Sequence, residues 1–190
     1  MTDLPIERRD IVGFDGLPIA VHMVGQGRDL VLIHGYFSNA WTNWIRYGHA
    51  ARLVEAGFRL ILPDLRGHGD SAKPHDAAAY PADALTDDNL GLIEQLGLTD
   101  YDLGGYSLGA RTTVRMLARG ATPRRVILSG MGLRGLTQTR QWRLLHQCPH
   151  QSRQLCARHV RMDDRSVPED HQGRSGRAAP HPQDLRRYPR

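Results

Sequence analysis

Ser107 lies in Gly105-Tyr106-Ser107-Leu108-Gly109, a Gly-x-Ser-x-Gly pattern with an apolar segment before it and a helix-like segment after it. A serine on a sharp turn between a strand and a helix can project its hydroxyl clear of the backbone and act as a nucleophile in acyl transfer. The flanking glycines leave room for such a turn, and the Leu108 N–H then points into the same space as the hydroxyl. Alone the pentapeptide is weak. In a chain with 20 glycines among 190 residues it arises by chance in somewhat under roughly one sequence in ten. Acyl transfer also needs donors aimed at the oxyanion of the tetrahedral intermediate, and losing one costs about 10²–10³ in rate. His34-Gly35-Tyr36-Phe37 follows the aliphatic run Leu30-Val31-Leu32-Ile33, where the Tyr36 N–H would be the second donor. The plainer reading of His34-Gly35 is a strand exit with a permissive glycine.

The elements that must position these residues follow from hydrophobic periodicity. Residues 10–24 read as a β-hairpin, with Ile19, Val21 and Met23 alternating after an Asp15-Gly16 turn. Asp29–His34 is a short continuous apolar run, as expected of a strand covered on both faces of a parallel sheet. One helix is expected over 39–56, carrying Trp41, Trp44, Ile45, Leu53 and Val54 and ending at Gly57. Strand Phe58–Leu62, a loop from Pro63 to about Pro81 and a helix near 82–96 with Leu85, Leu92, Ile93 and Leu96 come next. Strand Tyr101–Tyr106, a helix from Ser107 to Arg119 with Ala110, Val114 and Leu117 on one face, and strand Arg125–Ser129 complete the series. Such alternation implies an α/β fold with a parallel sheet and right-handed crossovers.

Four features in this order carry a resemblance to the α/β-hydrolase superfamily over about residues 10–135. They are the His34-Gly35-Tyr36 loop, the segment Pro63-Asp64-Leu65-Arg66-Gly67-His68-Gly69-Asp70-Ser71, the Gly105–Gly109 turn and the strand Val126–Ser129. The resemblance implies a mostly parallel sheet flanked by helices, with Ser107 as nucleophile and the N–H groups of Tyr36 and Leu108 as oxyanion donors. It also implies a structural role for Asp64–Ser71, whose glycines and Arg66 would fix geometry and whose His68 would not be catalytic. Serine at 107 separates this chain from relatives that use aspartate there, such as haloalkane dehalogenases and epoxide hydrolases. A small-molecule acyl substrate is implied, and no cofactor.

The triad partners of the serine are not recognisable. In this superfamily the order is Ser, acid, His, and no Asp or Glu occurs between Leu108 and Met162. The later acids Asp163, Asp164, Glu169, Asp170 and Asp184, and the later histidines His171 and His181, follow no apolar strand. Residues 136–190 hold 11 Arg, no Lys and 5 acids, a net of +6, against −1 for residues 1–135. Five Leu and two Val are the only large aliphatic residues in that stretch, below the roughly 20% at which disorder becomes the default. The expected organisation is a nucleophile half over 1–135, incomplete at its C-terminal side, and a basic, poorly packing tail over 136–190. A coding-frame shift near residues 133–140 would account for the abrupt change, and translating the neighbouring frames tests it.

The tail also holds His146, Cys148, His150, Cys156 and His159, but their spacing matches no standard zinc finger, so no metal site is assigned. Its arginines come with only Trp142 and Tyr188 for stacking, so nucleic acid is not an expected partner. Both cysteines lie in the tail and no disulfide is expected. The N-terminus has no apolar signal segment and no run is long enough to span a membrane; a cytoplasmic protein is the default. Three outcomes stay open: a working serine hydrolase, a ligand-binding pseudoenzyme, and a truncated non-functional product. Substrate and oligomeric state are not legible.

Overall fold

The computed structural model describes residues 4–133 and 135. Six strands form one sheet in the order β1-β2-β4-β3-β5-β6: β1 Ile6–Val12, β2 Pro18–Val24, β3 Arg28–Ile33, β4 Phe58–Pro63, β5 Tyr101–Tyr106 and β6 Arg125–Ser129. The expected hairpin is β1 and β2, paired antiparallel from Ile6↔Val24 to Val12↔Pro18. Gly16 takes the positive φ (87°) that its turn requires. β2 also pairs antiparallel with β4, while β3 pairs parallel with β4 and β5, and β5 parallel with β6. The sheet is mixed and mostly parallel.

Three helices connect the parallel strands: α1 His49–Glu55, α2 Ala84–Gln95 and α3 Leu108–Ala118. The chain moves one way from β3 to β4, then reverses to β5 and continues to β6. Right-handed crossovers therefore place α1 on one face and α2 with α3 on the other, and the core divides accordingly. On β3, Leu30 and Leu32 pack toward Ala50, Leu53 and Val54 of α1, while Val31 and Ile33 pack toward Leu92 and Ile93 of α2 and Met116 of α3. On β4, Leu60 and Leu62 join the first group and Ile61 the second. Alternate residues of one strand thus feed opposite cores, which is why these strands read as continuous apolar runs.

Two expectations require correction. The single helix over 39–56 is broken: Trp41–Ile45 forms a π-helical turn, closed by the Arg46 N–H on the Trp41 carbonyl at 2.8 Å, and α1 begins only at His49. Gly48 separates them with φ of 80°, a left-handed conformation that no helix interior tolerates. The apolar spacing is compatible with both arrangements, so periodicity alone could not show the break. In α3 the buried stripe runs through Gly109, Ala110, Thr112, Thr113 and Met116, with Val114 and Leu117 only half-buried. Close approach of Gly109 to β3 sets the rotation of that helix.

β6 differs from the other strands, because all five of its residues are exposed. It pairs with β5 alone, and Val126, Ile127 and Leu128 are 41%, 50% and 41% exposed. Among the described residues the sheet is open at this edge.

Candidate active site

Reversal of strand order creates a crevice. β3 leads to β4 on one side and β5 leads to β6 on the other, so the loops leaving the carboxyl ends of β3 and β5 diverge. In open α/β sheets this topological switch point is where ligands bind. The loop after β3 is His34-Gly35-Tyr36-Phe37, and the residue after β5 is Ser107. Ile33 and Gly105 are register partners, so the two loops leave side by side. Contact is close: a Cβ on Gly35 would come within 2.9 Å of the Tyr106 ring.

Ser107 is the residue between β5 and α3, with φ of 52° and ψ of −109°. Among the described residues, only Ser107 and Phe37 (φ 56°) have positive φ without being glycine, and one lies in each loop. Such conformations cost about 1–3 kcal/mol and persist where the surroundings over-determine them. Here packing does so. A Cβ on Gly105 would lie 2.2 Å from the Gly109 carbonyl carbon, and one on Gly109 would lie 2.1 Å from the Ile33 carbonyl oxygen. The Ser107 N–H donates to the Ser129 carbonyl at 2.8 Å, tying the turn to the end of β6. Leu108 begins α3, so its N–H belongs to the group of N-terminal amides that a helix leaves without intrahelical partners.

The loop after β4 supports the loop after β3. Asp64 is buried and accepts from the N–H groups of Ala40 and Asp70, each at 2.8 Å, and from His22 Nε2 at 3.2 Å. Burial alone would raise its carboxyl; the His22 hydrogen bond and then the two amides outweigh this and hold it at about 2. The Ser71 hydroxyl donates to the Asp64 carbonyl at 2.6 Å and accepts the Ala20 N–H at 2.9 Å. Arg66 is buried between Asp88 and Asp15, forming paired hydrogen bonds to each carboxylate at 2.5–2.9 Å. The polar residues of this segment thus join β2, α2 and both loops into one hydrogen-bonded frame.

The sequence reading places His34 in the loop that carries the Tyr36 N–H but gives its side chain no role, and that side chain is what sequence reasoning missed. It is fully buried. Its Nε2 accepts the Leu65 N–H at 2.9 Å, which leaves Nδ1 as the protonated nitrogen, donating to the Gly35 carbonyl at 2.7 Å. Burial, and then the neighbouring His68, push the imidazole down to about 4 against the opposing pull of the Gly35 carbonyl and Asp64. In the unfolded chain this histidine titrates near 6.5. Below that pH the unfolded state takes a proton that the folded state refuses, so stability falls as pH drops from about 6.5 to about 4, by about 3 kcal/mol in all. Asp64 acts lower: its contribution is complete above about 4 and is lost as pH falls through about 2. Urea midpoints measured from pH 7 to pH 4.5 should decline in the native chain and decline less in His34→Gln. Equal slopes in the two proteins would refute the assignment.

The aromatic residues near the loop divide in role. Tyr36 packs on Phe37 (centroids 4.0 Å apart) and edge-on to His68 (5.6 Å). Trp44 packs against the α1-side core, whereas Trp41 and Phe37 are exposed. A core-packing role therefore fits Trp44 and not Trp41. A groove of about 640 Å³ lies between Ile6, Met23, Arg59 and Gln95 and contains none of the candidate site residues; the strand topology is the better guide to the site. His22, Asp64 and Asp70 bring potential ligand atoms within 4.8 Å of one another. Those of Asp64 already accept protein hydrogen bonds, and Arg8 faces Asp70 at 3.7 Å. The histidines, cysteines and acids of the tail considered for zinc or for the triad, residues 146–184, lie outside the described residues. No helix among the described residues is long and apolar enough to cross a membrane.

Comparison with known proteins agrees with this geometry. The family model of the alpha/beta hydrolase fold matches residues 30–128, and the chain belongs to that family. Epoxide hydrolase 2 of Siraitia grosvenorii is 33% identical over 99 residues, covering 52% of this chain and 30% of the relative. Non-heme chloroperoxidase CPO-A1 of Kitasatospora aureofaciens is 37% identical over 112 residues, 58% of this chain and 38% of the relative. Among solved structures, the esterase EaEST of Exiguobacterium antarcticum superimposes with a TM-score of 0.58 at 31% identity, covering 64% of this chain and 44% of that one. The chain spans about a third of the length of the curated relatives it matches.

Proposed function

We propose that this chain carries the nucleophile half of a serine hydrolase acting on a carboxylic ester or similar small acyl compound. The observation that carries the reading is the Ser107 conformation, a left-handed serine at a strand-to-helix turn that Gly105 and Gly109 alone can accommodate. Ser107 Oγ would attack the acyl carbonyl carbon. The Tyr36 and Leu108 N–H groups would hold the oxyanion, the C–O bond to the leaving group would break as the proton given up by Ser107 passes to the departing alcohol, and water would then hydrolyse the acyl-enzyme to the free acid and the Ser107 hydroxyl. Residue type at 107 favours this over epoxide opening, because a serine hydroxyl forms a hydrolysable ester with an acyl group but would form with an epoxide an ether that water does not cleave. In this reading residues 1–135 hold the nucleophile and 136–190 form a basic tail, in a cytoplasmic protein with no nucleic-acid partner.

A second reading is ligand binding without turnover. Among the described residues the Ser107 hydroxyl has no hydrogen-bonded histidine, and removal of triad members leaves only the residual catalysis of the oxyanion donors. A fluorophosphonate probe separates the two. The native chain should label and Ser107→Ala should not. A folded native sample that fails to label removes the hydrolase reading, and a sample with no cooperative melt points to a non-functional product.

A further inference from the structure

We propose that His34 is a positioning residue for the oxyanion site: its Nδ1–H holds the Gly35 carbonyl and thereby fixes the direction of the Tyr36 N–H. The proposal rests on the role just given to that N–H. A peptide group is planar, so the Gly35 oxygen and the Tyr36 N–H lie on opposite edges of one rigid unit. Holding the oxygen against the His34 ring therefore directs the N–H away from it. Such a hold is needed, because the plane turns about the ψ of Gly35, a residue with no side chain to restrict it, and the loop continues into Phe37 at a positive φ. The preceding peptide is held independently, by the Gly35 N–H on Asn43 Oδ1 at 2.7 Å.

The ring suits this task because its two nitrogens face two loops. Nε2 accepts the Leu65 N–H from the loop after β4, and that bond leaves the proton on Nδ1 for Gly35 in the loop after β3. His34 is fully buried and its ring lies edge-on to His68 with centroids 5.2 Å apart, so neither water nor a rotamer change can easily displace it. His34 touches no substrate atom in this scheme. It acts through the peptide it holds.

Two substitutions divide its bonds. Asparagine carries an amide nitrogen near the position of Nδ1 and lacks a group at Nε2; glutamine carries an acceptor near Nε2 and lacks the near donor. His34→Gln should label with fluorophosphonate about tenfold more slowly than the native chain, or worse. His34→Asn should melt lower because Leu65 loses its acceptor, yet label within about threefold of the native rate. Native-rate labelling by His34→Gln would overturn the proposal. A readout independent of nucleophile chemistry is the residual dipolar coupling of the Tyr36 amide, with the imidazole ¹⁵N shifts of His34 in the native chain. The coupling should change in His34→Gln and stay native-like in His34→Asn, with His34 protonated on Nδ1. An unchanged coupling in glutamine, or a proton on Nε2, overturns it even if the native chain never labels. Should neither variant fold, the ¹⁵N shifts of the native chain decide.

Discussion

Gly109→Ala is expected to abolish Ser107 labelling and to cost at least about 3 kcal/mol of stability. The added Cβ would lie 2.1 Å from the Ile33 carbonyl oxygen, 2.6 Å from its carbon and 2.7 Å from the His34 oxygen. All three are backbone atoms of the central strand and its exit, so no side-chain rotation relieves the clash. Either α3 lifts away from β3, taking Ser107 with it, or the strand moves and disturbs both apolar cores. Gly91→Ala in α2 is the matched control, since its Cβ would meet only the end of the Gln95 side chain, at 3.5 Å. There alanine should be neutral or stabilise by about 0.5–1 kcal/mol through its helix propensity. Urea unfolding of both variants checks the pair, and a Gly109→Ala protein within about 1 kcal/mol of the native chain would refute the packing argument.

Arg66→Ala is expected to destabilise the protein by about 3–5 kcal/mol without directly touching Ser107. The guanidinium is buried, makes two hydrogen bonds to Asp88 and two to Asp15, and lies 4.5 Å from the centre of the Phe14 ring. The cost comes chiefly from Asp88, which is buried and would be left with no described partner but the Phe14 N–H at 3.1 Å. The distinguishing test is therefore a double substitution. Arg66→Met with Asp88→Leu should recover a large part of the loss, because replacing both buried charges by apolar groups of similar volume is often near neutral. If the double variant is no more stable than Arg66→Ala, the penalty has another origin.

The sequence showed the order of strands and helices in this molecule more readily than their arrangement. The apolar runs at 29–34 and 58–62 were legible as buried strands because each serves two cores, and the Asp15-Gly16 turn marked the hairpin. No local signal shows that β2 pairs with β4, or that the chain reverses direction across the sheet after β4. Sheet order depends on contacts between residues tens of positions apart. For the same reason Trp41 and Trp44 looked equivalent, although one is exposed and the other packs on the core. The serine turn was legible because two glycines and a serine at fixed spacing report a local backbone shape. His34 was not, since nothing local shows that its ring meets the Leu65 N–H, thirty-one positions away. A histidine directly before the glycine of a strand exit, with a Pro-Asp-x-Arg-Gly segment further on, was the signal available.

The Ser107 N–H is bonded to Ser129, the last residue of the one described strand with no buried residue. An exposed, singly paired strand opens with a small fraction of the global unfolding free energy. Each opening releases one of the restraints on a serine held in a costly backbone conformation. The lifetime of the Ser107 turn is then governed by fraying at the sheet margin, and the amide exchange of Ser107 should follow that of β6 more closely than that of α3. Whatever covers β6 would set how long the hydroxyl stays aimed.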